Sequence, residues 1–290
     1  MERDFINRKK SQRGFTLVEL VVVIIVTGVL STVILQFITA PIESYMDVSR
    51  RTRLTDIAET AMQRLSYEIR SALPNSIRVG CAGRCMEFLR APTGGRYRAA
   101  PPGDTLSFNP VDADTSFPVL GPLNYTSEVV AGSGTNECAA NTASCVVVYN
   151  TGLAGSNAWN LDNMATLTGI GGSPLSVSFN NAGFSSGNTA FPASSPYQRF
   201  YLVDTPVKYL CDLGGGTLRR YQGYNVVSAE TSVDTHAELV GLSNSAEHAL
   251  LADQVTDCSF TYVSGTPSRN AVLSISLTVA ESGEDITLLQ

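Results

Sequence analysis

The chain has 290 residues, of which 43% are hydrophobic and only 16% charged, against roughly 25% charged in an average soluble domain. That length holds one large domain or two small ones. The net charge is −6, but residues 1–14 carry Arg3, Arg8, Lys9, Lys10 and Arg13 against Glu2 and Asp4, leaving 15 basic and 24 acidic residues in the remainder, a net charge of −9. An acidic body with a short basic tip argues against nucleic acid as a partner of the body.

The first predicted element is a membrane-spanning helix. Residues 15–40 read FTLVELVVVIIVTGVLSTVILQFITA, with Glu19 as their sole charge. At about 1.5 Å per residue such a helix reaches roughly 39 Å, more than the about 30 Å of a hydrocarbon core. The basic residues before it predict a cytoplasmic segment 1–14 and an exported body. A cleaved secretory signal peptide is a poor fit, because the apolar core is too long. Its only candidate cleavage site, Ile38-Thr39-Ala40, is followed by Pro41, which hinders cleavage. A plain signal anchor explains everything except Glu19. An ionised carboxylate in lipid costs several kcal/mol unless it reaches the interface or finds a cationic partner. A cut between Gly14 and Phe15 creates one, an α-amino group four residues before Glu19.

The run Arg13-Gly14-Phe15-Thr16-Leu17-Val18-Glu19-Leu20, between a basic leader and an apolar stretch, resembles the processing signal of type IV prepilins and pseudopilins. The resemblance implies cleavage after Gly14 by prepilin peptidase, N-methylation of Phe15, and a role for Glu19 in packing against a neighbouring subunit. The implied partners are other major and minor pilins through the N-terminal helix, the peptidase/methylase, an inner-membrane assembly platform, and the lipid bilayer before assembly. The implied location is the inner membrane, single-pass with a periplasmic C-terminal domain, and afterwards a filament.

Beyond the membrane the helix is predicted to continue to Leu73. Leu54, Ile57, Ala61, Leu65, Ile69 and Leu73 fall at spacings of three and four, one stripe of an amphipathic helix. Charged residues from Arg50 to Arg70 fill the other faces. Pro41 is expected to kink the helix and Pro74 to stop it. Three segments follow: a leader at 1–14, a helix at 15–73 with 15–40 in the membrane, and a β-rich periplasmic or extracellular domain at 74–290. The predicted fold class is α+β, a long N-terminal pilin-type helix packed on a mostly antiparallel β domain.

The body reads as short strands and turns. Leu175, Val177 and Phe179 alternate with serines, and a strand is expected from Cys145 to Tyr149. Residues 199–203, 207–211 and 217–221 read as adjacent antiparallel strands, the last two joined by a turn at Gly214-Gly215-Gly216. Residues 259–263 and 272–279 form two more, while 91–173 is otherwise read as irregular. The chain stops inside a strand-like run, 286–289, which leaves a further C-terminal segment open. Several stretches resemble minor pilins of the mannose-sensitive haemagglutinin type. They are 68–79, Cys85-Met86-Glu87-Phe88, 206–211, Leu218-Arg219-Arg220-Tyr221 and 258–262. The wider group includes PilW-type and secretion-system J-type minor pseudopilins. The resemblance implies a low-copy subunit that initiates or caps a filament.

Six cysteines, Cys81, Cys85, Cys138, Cys145, Cys211 and Cys258, in an exported body favour disulfides. Pairing of sequence neighbours (81–85, 138–145, 211–258) is favoured among the 15 connectivities that six cysteines allow, with a zinc site at Cys81 and Cys85 as the competing reading. Little else suggests chemistry. His236 and His248 read as exposed or structural, Asp112-Ala113-Asp114 as a surface turn rather than a calcium loop, and Trp159 as core. No catalytic residue, cofactor or metal is expected, and the chain reads as a structural subunit rather than an enzyme. A signal-anchored periplasmic hydrolase and a glycan-binding adhesin are the alternatives.

Overall fold

The structure is a computed structural model that describes residues 14–184, 189–242, 244, 246–265 and 270–290. The basic leader residues 1–13 lie outside the described residues. The chain divides into two compact units between Thr52 and Arg53, and the fold is α+β.

The first unit contains the apolar part of α1 (Leu17–Ile69). Thr27 donates to the Val23 carbonyl at 2.7 Å, Ser31 to Thr27 at 2.7 Å and Thr32 to Val29 at 2.8 Å. Each of these hydroxyls thereby satisfies itself within the helix, as a segment surrounded by lipid requires. Pro41 falls inside α1, where its missing N–H leaves one carbonyl of the preceding turn without its usual donor.

The second unit begins with the last turns of α1 and continues, among the described residues, through fourteen strands. These are β1 (Arg78–Gly80), β2 (Cys85–Arg90), β3 (Thr93–Arg96), β4 (Ser116–Pro118), β5 (Cys145–Val148), β6 (Met164–Gly171), β7 (Ser176–Asn180), β8 (Arg199–Val203), β9 (Thr205–Asp212), β10 (Thr217–Gln222), β11 (Glu247–Ala252), β12 (Val255–Val263), β13 (Val272–Glu281) and β14 (Glu284–Leu289). Two short helices, α2 (Glu137–Ala140) and α3 (His236–Val240), lie between them. The strands form three sheets, ordered β1-β2-β9-β10-β11, β12-β13-β14 and β3-β8-β5-β6-β7-β4. All pairings between the named strands are antiparallel.

Leu54, Ala58, Ala61, Met62 and Leu65 of α1 pack into one core with Met86, Phe88, Val207 and Tyr209 of the five-stranded sheet and with Phe260, Ile275, Leu277 and Val279 of the three-stranded sheet. Four of these five helix positions are at most 1% exposed. The stripe expected from the sequence is therefore the buried one, widened by Ala58 and Met62. Arg53 adds an ion pair to Glu281 at 2.6 Å. The six-stranded sheet has its own core, in which Phe117 meets Phe200 edge-on at 5.0 Å.

Three expectations are corrected. The helix ends at Ile69 rather than Leu73, because residues 70–73 turn back onto β2: Leu73 N–H donates to the Leu89 carbonyl at 2.8 Å and Ala72 bridges Arg90. The strands at 199–203 and 207–211 are not neighbours. β8 pairs with β3 and β5, whereas β9 pairs with β2 and β10, and the chain changes sheet at Asp204. Pro206 lies at this change: it is in register with Leu89 of β2, while β9 pairs with β10 only from Val207 onward. The stretch 91–173 is more ordered than expected, contributing β3, β4 and the eight-residue β6 as well as β5.

Candidate processing and assembly segment

Gly14, Phe15 and Thr16 precede α1 outside regular structure, and all three are exposed. Among the described residues, a Cβ added at Gly14 would meet nothing within 4 Å. Thr16 caps the helix: the Glu19 N–H donates to its hydroxyl at 3.3 Å, and the Leu20 N–H donates to its carbonyl at 3.2 Å. Thr16 and Glu19 thus stand at the Ncap and N3 spacing of a capping box. That places the Glu19 carboxylate in the first turn, where the unpaired amides and the helix dipole favour negative charge. Phe15, the residue whose amine cleavage would free, directly precedes the cap. Phe15 and Glu19 thus lie at the same end of α1, and the apolar run behind them is exposed. None of Leu17–Ile34 is buried, and the run is long and apolar enough to cross a membrane.

A family model described as the prokaryotic N-terminal methylation motif matches residues 9–35. The N-terminus is type IV pilin-like. The match takes in the end of the leader, Gly14, Phe15, Glu19 and most of the apolar run. The motif implies processing by prepilin peptidase and assembly of the pilin kind in general, and the helix behind it fits a single-pass membrane anchor. No curated protein and no solved structure matches the chain.

Within the second unit the cysteines pair as Cys81–Cys85, Cys138–Cys145 and Cys211–Cys258. The last bond joins β9 to β12 and so links two sheets. The disulfide at Cys81–Cys85 removes the thiolates that a zinc site there would need. Asp112 accepts from the Ser107 hydroxyl at 2.5 Å and Asp114 from its amide at 2.6 Å, so both carboxylates hold a local turn. Trp159 is buried, donates to the Ser76 carbonyl at 2.8 Å and lies under the Arg78 guanidinium at 3.7 Å. Asp212 accepts from the amides of Gly214 and Gly215, both at 3.0 Å, and so closes the β9–β10 turn.

Two polar groupings went unseen in the sequence. His236 and His248 come together, ring centroids 5.0 Å apart, against Tyr221, whose hydroxyl lies 2.9 Å from His236 Nδ1. Together with Arg84, Arg219 and Thr235 they line an open cleft of about 760 Å³. The signal was weak, since Tyr221 and His248 are cross-strand partners whose pairing depends on the register of β10 and β11. Secondly, Glu68 near the end of α1 accepts from Arg220 and from the Tyr209 hydroxyl. Burial would raise the Glu68 carboxyl, but those hydrogen bonds and the Arg220 charge hold it below its ordinary range. Tyr209 is pushed up by burial and by donating to Glu68.

Proposed function

We propose that the chain is a minor pilin or pseudopilin subunit of a type IV filament of the mannose-sensitive haemagglutinin type, most like MshO, acting mechanically rather than as an enzyme. In this reading the prepilin is inserted in the inner membrane, cut after Gly14, methylated at Phe15, and drawn into a filament through its apolar helix. Other major and minor pilins are its partners there, with the peptidase and the assembly platform acting on it beforehand. Burial of the bare helix among neighbouring helices holds the assembly, and pairing of Glu19 with a Phe15 amine sets the register in a medium that screens charge poorly.

The observation that carries the reading is the methylation motif at residues 9–35; Glu19 in the first turn of α1, four residues after Phe15, supports it. The finer assignment rests on the stretches that resemble this minor-pilin type. Residues from them meet one another: Glu68 binds Arg220 and Tyr209, and Phe88 and Tyr209 stack in the core beneath α1. A J-type minor pseudopilin of a secretion system is the runner-up, differing in partners rather than in mechanism.

Replacing Glu19 by alanine tests the proposal. Cleavage after Gly14 is expected to proceed, while recovery of the chain in sheared filaments drops sharply. Unchanged recovery would contradict the pairing, and recovery only with a secretion pseudopilus would favour the runner-up.

A further inference from the structure

Lysine is rarely enclosed unless paired, yet Lys208 sits in the centre of β9 with no exposed side-chain surface. Its Nζ lies 2.9 Å from Glu230 Oε1 and 3.3 Å from Asp234 Oδ1. Both acids belong to the segment before α3, which crosses this face of the five-stranded sheet. Leu210, Tyr221, Tyr224, Val233 and Leu239 form the apolar cluster on this side, and Cys85 Sγ lies 3.3 Å from Glu230 Oε1. The Glu230 carboxyl is tightly seated: a Cβ added at Gly80 would fall within about 2 Å of all three of its terminal atoms. Glu87, paired in register with Lys208, is engaged elsewhere, accepting from Arg78 at 2.8 Å and from the Tyr224 hydroxyl at 2.5 Å.

One buried ammonium therefore faces two half-buried carboxyls. Burial raises the Glu230 carboxyl; the Lys208 hydrogen bond opposes that, and the Asp234 hydrogen bond and charge push it up again. Glu230 therefore takes up a proton more readily than an ordinary carboxyl, since like charges this close are not held together without cost.

We propose that Lys208 and Glu230 condense into an intramolecular amide, with Asp234 carrying the proton. Asp234 takes one proton from the Lys208 ammonium. The freed amine attacks Cδ of the protonated Glu230 carboxyl and a C–N bond forms. The C–O bond to the carboxyl hydroxyl then breaks, and that hydroxyl leaves as water with a second proton from the attacking nitrogen. The products are a neutral amide, one water and a proton on Asp234. Nothing is oxidised or reduced, and no further reactant is needed. In water such a condensation is unfavourable, but fixed groups reach effective molarities of about 10⁵–10⁸ M, and the product removes a buried charge. The bond would fasten the central strand β9 to the segment before α3, and it does not depend on the filament reading.

Intact mass spectrometry of the full chain, purified in detergent, tests this. The expected mass is one water below that of the chain with its three disulfides. After reduction, unfolding and trypsin, a branched peptide is expected to join residues 200–219 to 221–269, uncut after Lys208. Asp234→Asn, which keeps the shape of the site, and Lys208→Met should both restore the missing water. A wild-type chain at full mass, cut after Lys208, would overturn the proposal. An Asp234→Asn chain still one water short would overturn the proton-carrying role.

Discussion

Glu19 and Glu68 are both acids of α1, and their settings could hardly differ more. Glu19 stands in the first turn of an apolar run, while Glu68 is clasped by Arg220 and Tyr209 within the folded body. Because the Glu68 carboxyl is held below its ordinary value of 4.5, its stabilising contribution is present above the carboxylate range and is lost as the pH falls through its folded value. Glu68→Gln should therefore cost about 2 kcal/mol at neutral pH, the scale of hydrogen bonds to a charged group. That deficit should shrink on acidification. Thermal melts of the detergent-purified chain and the variant at several pH values check this; a deficit independent of pH would show that the carboxylate charge is not what matters. Glu19 stands out in the sequence as the lone charge of an apolar run. Glu68 was not, since its partners come from β9 and β10, far along the chain.

At the scale of elements, the last turns of α1 join two sheets in one core. Leu65 has no exposed surface there, so Leu65→Ala should destabilise the body by roughly 3 kcal/mol, within the range for such cavities. A melting temperature unchanged from wild type would mean that the stripe does not hold the helix. That stripe was readable from periodicity alone, as were the β9–β10 turn and the strands β12 and β13, because all of these depend on local pattern. The separation of β8 from β9 was not, since two short apolar strands joined by Asp204 look alike whether they pair or part. β6 was missed for a related reason: Gly169 and Gly171 dilute its alternation, and its pairing with β5 and β7 supplies the order that local propensity lacks.

For the whole molecule, the division at Thr52 separates an exposed apolar helix from a body that holds all three disulfides. Cys211–Cys258 closes the longest loop, with a sequence separation of 47. Chain-entropy reasoning assigns such a loop about 4 kcal/mol. Replacing both cysteines with alanine should lower stability on that scale in denaturant titration, and full retention would show that the two sheets hold together without it. The even cysteine count suggested disulfides, but the pairing became definite only in the folded chain.

The central claim is that proteolysis provides an amine for an acid lodged in lipid. Mass spectrometry of the mature N-terminus, on protein from cells with an active prepilin peptidase, tests it most directly. The account predicts a chain beginning at N-methylated Phe15. A chain that keeps residues 1–14 would contradict it.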